Sequence, residues 1–224
     1  MQTVLGIKGL KKSFDNYEGQ KVSVLDIDYF NLQHQEQVGV EGLSGSGKTT
    51  FLNLIAGILQ PDEGQIIFEG MDVALLSESR RDLWRAQNIG YVFQTFNLLQ
   101  GYSALENVML GMAFGKGVDP DFAETLLKRV NLTKHMHSKP RQMSIGQQQR
   151  VAVARALANK PKLVLADEPT GNLDHKHASE TIALIQEVCI ENKAALLLVS
   201  HDRGVLSKFE KIVKMSEINK VGEV

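Results

Sequence analysis

The order of apolar and polar positions divides the chain into stretches of different rhythm. From residue 4 to about residue 41 the apolar runs VLGIKGL, VSVLDIDYF and QVGVE are separated by the polar turn DNYEGQ, which predicts a β-rich beginning. A glycine-rich loop after Gly42 opens the helical pattern KTTFLNLIAGIL, and the turn PDEG leads into a short strand, QIIFEG. Between Gly101 and Pro140 the spacing turns helical, in SALENVMLGMAF and PDFAETLLKRVNL, which GKGVDP links. Strand-length runs return with KLVLAD, followed by a helix over about residues 176–191, the strand AALLLVS and a short strand near KIVKM. This alternation predicts an α/β domain with a mostly parallel core sheet. Residues 1–224 read as a single domain, with a core from 1–94 and 159–224 and a helical insertion over 95–158.

Composition narrows the functional classes. Lys and Arg total 25 against 26 for Asp and Glu, a formal net charge of -1, so no global field recruits nucleic acid or acidic lipid. Partners have to be recognised by local surface. Cys189 is the one cysteine and cannot close an internal disulfide; within TIALIQEVCI it reads as a buried, inert thiol of a reducing compartment. The N-terminus MQTVLGIKGLKK lacks the apolar stretch of a secretory signal, and no run approaches the ~20 apolar residues of a bilayer-spanning helix. The expectation is a cytoplasmic chain that does not cross a membrane by itself.

Residues 42–49, GLSGSGKT, carry the phosphate-binding pattern GxxxxGK followed by Ser or Thr, between an apolar strand and a helix as that pattern requires. Gly42, Gly45 and Gly47 let backbone N–H groups crowd around an anion, and the helix starting near Lys48 points its positive end at it. Ser44 and Ser46 complete the loop. Lys48 is expected at the β- and γ-phosphates, the Thr49 hydroxyl on Mg²⁺, and Thr50 beside the phosphates of a bound ATP. The strand LVLADE delivers two acids to the same sheet edge: Asp167 to hold Mg²⁺, directly or through water, and Glu168 to act as general base on the attacking water.

A phosphate loop by itself leaves kinase, GTPase and transporter ATPase open. The further motifs YVFQ ending in Gln94, SIGQQQR at 144–150, LVLADEPT, GNLD ending in Asp174, and SHD containing His201 follow in an order and spacing that resemble the ABC (ATP-binding cassette) family over nearly the whole chain. A small-molecule kinase would leave SIGQQQR and His201 unexplained. The resemblance implies the ABC ATPase fold, with an N-terminal antiparallel β subdomain and a helical subdomain beside the parallel core. It also implies an ATP-sandwich dimer, in which Ser144, Gly146 and Gln147 of one copy act on the ATP held by the other. By the same resemblance Gln94 meets Mg²⁺ or the attacking water, His201 meets the γ-phosphate, Asp174 braces the dimer interface, and Phe14 stacks on adenine. Lys48, Gln94, Glu168 and His201 then form the catalytic set.

Ser144 looks like an N-cap for QQQRVAVARALANK, whose start is a second anion site. The sequence departs from the family at Ile145, which stands where the signature normally has its first glycine; the loop therefore has to use a conformation open to a β-branched residue. The final segment FEKIVKMSEINK lacks the Asp-Gly turn common there, which puts a final hairpin in doubt. Ser200, His201 and Asp202 are consecutive and project apart, so no hydrolase triad is expected. The pairs His135 with His137 and His175 with His177 lack accompanying ligands and read as solvated histidines. SESRRDLWRAQ reads as a solvated helix face with Trp84 turned inward.

Within the family, ADEPTGNLD with FNLL and ALENV is most similar to the branch of lipoprotein-release, macrolide-export and FtsE-type cell-division ATPases. That likeness implies a separate membrane-spanning permease, reached at the cytoplasmic face of the inner membrane, with Tyr102 and its apolar neighbours as candidates for the docking surface. A regulatory role toward a cell-wall enzyme is the alternative. A soluble ABC protein of DNA repair or translation, and with it a nucleic-acid partner, is not expected without a second cassette, a long insertion or a basic face.

Overall fold

The computed structural model describes residues 2–171 and 175–221, the side chains of residues 175 and 176 excepted. Two sheets organise it. The strands β1 (Thr3–Asp15), β2 (Lys21–Gln33), β4 (Glu63–Phe68) and β5 (Met71–Asp72) form an antiparallel sheet in the order β2-β1-β4-β5. The strands β3 (Gln37–Glu41), β6 (Ile89–Val92), β7 (Leu163–Asp167), β8 (Ala195–Ser200) and β9 (Lys211–Lys214) form a parallel sheet in the order β6-β7-β8-β3-β9. The β-rich beginning thus serves both sheets.

Every residue of β7 and β8 is buried, because this sheet is covered on both faces. Leu163, Leu165, Leu197 and Val199 turn into a core with β1, β2 and helix α1 (Lys48–Ile55). Val164, Ala166, Leu196 and Leu198 turn into a second core with the helices α3 (Ala104–Ala113), α4 (Pro120–Arg129), α5 (Ile145–Ala156) and α6 (His175–Glu191). Strands buried on both faces read as continuous apolar runs, which is how KLVLAD and AALLLVS stand in the sequence.

The helical block is fastened by local chemistry. Ser103 caps α3 in a reciprocal box with Glu106, and Asp119 caps α4, with Pro120 in its first turn. The Asn107 side chain, fully buried, accepts from Leu99 N at 2.8 Å and donates to the carbonyls of Leu99, Tyr102 and Ser103, holding the loop ahead of α3. A Cβ on Gly90 of β6 would stand 2.3 Å from the Ala156 carbonyl oxygen, so only glycine lets the end of α5 approach the sheet this closely.

Helix α2 (Glu78–Asn88) corrects the expectation of a solvated face. Trp84 is turned inward, edge-on to Phe68 at 5.2 Å, but Arg81 is buried as well. Its Nε donates to the Gly57 carbonyl at 2.8 Å, and Arg85 Nη1 donates to the same oxygen at 3.1 Å. These cations satisfy a carbonyl just beyond the C-terminal end of α1. Cys189 is fully buried and its thiol is pushed up to about 12 by that burial, which keeps it inert. After the short helix α7 (Arg203–Leu206), β9 leads straight into helix α8 (Met215–Ile218) with no hairpin among the described residues. Asn219 instead ties the chain to β2, accepting from Asp26 N at 2.8 Å and donating to Val24 O at 3.0 Å.

Candidate nucleotide site and signature cleft

The phosphate loop runs from the end of β3 to the first turn of α1. Gly47 has φ 90°, and a Cβ there would lie 2.8 Å from Leu25 Cδ2 and 3.1 Å from the Val24 carbonyl, so both conformation and space demand glycine. The loop surrounds a cleft of about 280 Å³ lined by Ser44, Gly45, Gly47, Lys48, Thr49 and Thr50, together with Gln94, Glu168 and His201 from other strand ends. Ser46 Oγ is buried in the loop without a hydrogen-bond partner, and Gly42 lies at an adjoining cleft with Leu43 and His201. Lys48 Nζ donates to the carbonyls of Gly42 at 2.7 Å and Leu43 at 2.8 Å, folded back on its own loop.

The second half of the site comes from β7 and β8. Glu168 follows β7 with φ 43°, a left-handed conformation unusual for a non-glycine residue, and its N–H donates to Val199 O at 3.1 Å. Its carboxylate accepts from Ser200 Oγ at 3.1 Å, from His201 N at 3.4 Å and from His201 Nδ1 at 2.9 Å, and lies 3.4 Å from Lys48 Nζ. A carboxylate only accepts, so His201 carries a proton on Nδ1, and its Nε2 is turned away from Glu168. Ser200 Oγ also accepts from Asp202 N at 3.0 Å, and Asp202 itself caps α7 through Gly204 N at 2.7 Å. Ser200, His201 and Asp202 are thus separately engaged and form no triad.

Asp167 is buried, and its Oδ1 has no hydrogen-bond partner. Burial raises its carboxyl above the usual range, with a further push from Glu168, against the Thr49 hydroxyl and the Lys48 ammonium, which pull the other way. An unsatisfied carboxylate oxygen next to a threonine hydroxyl is a hard-oxygen donor set of the kind Mg²⁺ takes, so these residues fit that ion. Phe14 does not line the cleft. It is 41% exposed on β1, opposite Val22, two residues along β2 from the cleft-lining Val24, so its ring is available and not packed in a core.

Ser144, Gly146 and Gln147 line a different cleft, of about 500 Å³, with Ile145, Arg150 and His177. Ser144 caps α5 in a reciprocal box: its Oγ accepts from Gln147 N at 3.3 Å, and Gln147 Oε1 accepts from Ser144 N at 2.9 Å. Ile145 sits in the first helical turn without positive φ, half exposed, so a β-branched residue fits the loop unstrained. A Cβ on Gly146 would meet no atom within 4 Å, so nothing in this chain fills the space that glycine leaves. Asp174 lies outside the described residues.

A further cleft, of about 540 Å³, lies beside Phe93 and the end of the helical segment that follows Gln94. Leu83, Tyr91, Phe93, Leu110 and Phe114 line it, with Arg155 below, and the half-exposed Tyr102 is not part of it. Tyr91 and Phe93 stand in the YVFQ motif, whereas exposed apolar residues such as Leu83 and Phe114 are common on surfaces and gave no signal by themselves.

Comparison with known proteins agrees with this geometry. Residues 25–171 match the family described as ABC transporter. The chain is 39% identical over 218 residues to the lipoprotein-releasing system ATP-binding protein LolD of Pseudomonas syringae pv. tomato, covering 96% of this chain and 95% of that protein. It is 43% identical over 185 residues to the macrolide export ATP-binding/permease protein MacB of Syntrophobacter fumaroxidans, covering 80% of this chain but 26% of that longer protein. Among solved structures, the dimeric post-hydrolysis state of the ATP-binding cassette MJ0796 bound to ADP and Pi superposes with TM-score 0.85 at 35% identity, covering 94% of this chain and 93% of that one. The phosphate loop, the acidic strand end and the capped signature helix thus occur together because the chain belongs to the ABC transporter family, as one of its ATP-binding and ATP-hydrolysing domains.

Proposed function

We propose that this ATPase drives a membrane machine of the lipoprotein-releasing or macrolide-exporting kind, held at the cytoplasmic face of the inner membrane by a separate permease. The observation that carries the reading is the course of the chain after β6. Tyr91 and Phe93 line the apolar cleft, and the next residue, Gln94, lines the nucleotide cleft. An apolar segment of a permease seated against Leu83, Leu110 and Phe114 would therefore press on the backbone one residue from the nucleotide. The relatives reported above serve lipoprotein release and macrolide export, which favours this reading over the cell-division alternative.

In the proposed cycle the triphosphate takes Lys48 from the Gly42 and Leu43 carbonyls, with Ser44, Gly45, Ser46, Gly47 and Thr50 around the phosphates and Phe14 against the adenine. Thr49, Gln94 and Asp167 would hold Mg²⁺, which supplies charge neutralisation on the phosphates. Glu168 takes the proton of the attacking water, and His201, its Nδ1–H held by Glu168, donates from a protonated Nε2 to the γ-phosphate. Ser144, Gly146 and Gln147 of a second copy close the site from outside, with Asp174 at that interface. Residues 95–158 act as a helical subdomain that carries the signature segment relative to the core of 1–94 and 159–224. Closure on ATP and separation after hydrolysis transmit motion to the permease.

The test is affinity capture of tagged Glu168→Gln protein from solubilised native membranes with ATP and Mg²⁺, beside the same protein carrying Phe114→Asp. Recovery of an integral membrane protein with a large extracytoplasmic domain, lost with Phe114→Asp, is the expected result. Recovery of soluble proteins alone would remove the permease from the scheme.

A further inference from the structure

We propose that His135 is a positioning residue for the signature segment: it holds the Gln147 side chain through a hydrogen bond that only a neutral, Nδ1-protonated imidazole can accept. The inference rests on the reading that residues 144–147 act on ATP. It follows from donor and acceptor counting. Ser144 N is a donor only and lies 2.9 Å from one end of the Gln147 amide, so that end is the oxygen and the amide nitrogen points away. The amide nitrogen lies 3.0 Å from His135 Nε2. An amide NH₂ only donates, so His135 Nε2 has to accept, and the ring proton has to reside on Nδ1.

His135 is fixed for this task. It ends a short helical turn, Thr133–His135, after α4; its N–H donates to Leu132 O at 2.9 Å, and its carbonyl accepts from Ser138 N at 3.1 Å. Gln147 in turn is the reciprocal partner of Ser144 in the box that starts α5. The chain His135–Gln147–Ser144 therefore sets the first turn of the helix that presents Gly146. Protonation of His135 would put an N–H against the amide NH₂. Either the contact opens and the Gln147 side chain loses its hold, or the amide turns over, sets its NH₂ against Ser144 N–H and the box loses a bond.

The carboxylates around this turn are already engaged. Lys134, His137, Lys139 and Arg141 lie on its own segment. On α3, which donates from Leu105 N to Met136 O, Glu106 accepts from Ser103 N and Oγ. On α4, Lys128 pairs with Glu124, and Arg129 pairs with Glu187 and Glu191; on α5, Arg150 lies 3.6 Å from Glu180. Among the described residues no carboxylate forms an ion pair with His135.

Two measurements test the proposal. In the nucleotide-free protein, nitrogen-15 NMR of the histidine rings at neutral pH should show His135 with a bare Nε2 and the proton on Nδ1; an Nε2–H ring would overturn it. ATP hydrolysis should then be followed from about pH 7.5 to about pH 5.5, where imidazoles titrate, in wild type, His135→Gln and His135→Ala. His135→Gln, whose amide oxygen accepts and does not titrate there, should keep the neutral-pH rate within about twofold and decline less in acid than wild type by roughly fivefold to tenfold, the worth of a helix cap. His135→Ala should be slowed at every pH. Parallel acid profiles for wild type and His135→Gln would overturn the proposal even if His135→Ala fails to fold. Lys48→Ala in the same assay separates the failures: if it hydrolyses ATP normally, the underlying reading falls, and if it is inactive, parallel profiles sink the His135 role alone.

Discussion

Replacing Glu168 by Gln tests the catalytic half of the site most directly. Every group against this carboxylate is a donor as placed: Ser200 Oγ at 3.1 Å, His201 N at 3.4 Å, His201 Nδ1 at 2.9 Å and Lys48 Nζ at 3.4 Å. A glutamine brings one acceptor and an NH₂ that faces donors, unless His201 moves its proton to Nε2 and accepts at Nδ1. The nucleotide-free protein should therefore lose about 1–3 kcal/mol, the cost of an unsatisfied buried polar contact. Loss of the base should slow the chemical step by roughly 10²–10⁴, or about 3–5 kcal/mol in the barrier. ATP affinity should hardly change, because the phosphates bind the loop and Lys48 and not the amide. The assay is single-turnover hydrolysis at saturating ATP and Mg²⁺, with nucleotide affinity measured in parallel. A rate within about tenfold of wild type, or a loss of affinity matching the loss of rate, would refute the assignment of Glu168 as base.

Other substitutions probe separate parts of the fold. Asp167 has its carboxyl raised by burial, so its ionisation costs stability as the pH rises through the carboxylate range and costs nothing well below it. Asp167→Asn should raise the melting temperature of the nucleotide-free protein at pH 7 by roughly 2–4 °C. That gain should fade toward about pH 3, below the ordinary Asp value; thermal melts showing a gain independent of pH would contradict the argument. Asn107→Ala abandons Leu99 N and the Tyr102 carbonyl, while the Leu99 and Ser103 carbonyls keep backbone donors, and should cost about 2–4 kcal/mol in urea unfolding, whereas a cost under about 0.5 kcal/mol would mean that the loop ahead of α3 holds itself. Gly90→Ala drives a methyl to 2.3 Å from the Ala156 carbonyl and should destabilise by about 1–3 kcal/mol, so an unchanged denaturation midpoint would show that α5 shifts freely on the sheet.

Much of the molecule was legible in the sequence because the relevant physics is local. The doubly buried strands β7 and β8 announce themselves as unbroken apolar runs, since covering both faces leaves no polar position. The phosphate loop is readable because its glycines and the Lys48-Thr49 pair are required by an anion within a few residues of chain. Ser144 could be recognised as a cap because capping reaches only three residues ahead. Other features needed the tertiary structure. The sequence offered Arg81 as a solvated charge, and burial under the Gly57 carbonyl, 24 residues away, decides otherwise. Glu168 and His201 could be singled out separately, but their hydrogen bond exists only because β7 and β8 lie side by side and parallel, which brings together strand ends 33 residues apart. The tautomer required of His135 depends on a glutamine 12 residues on, across a turn whose path no periodicity encodes. Spacing along the chain determines helix, strand and cap because covalent geometry repeats; which side chains meet is decided by how buried faces pack, a property of the whole fold.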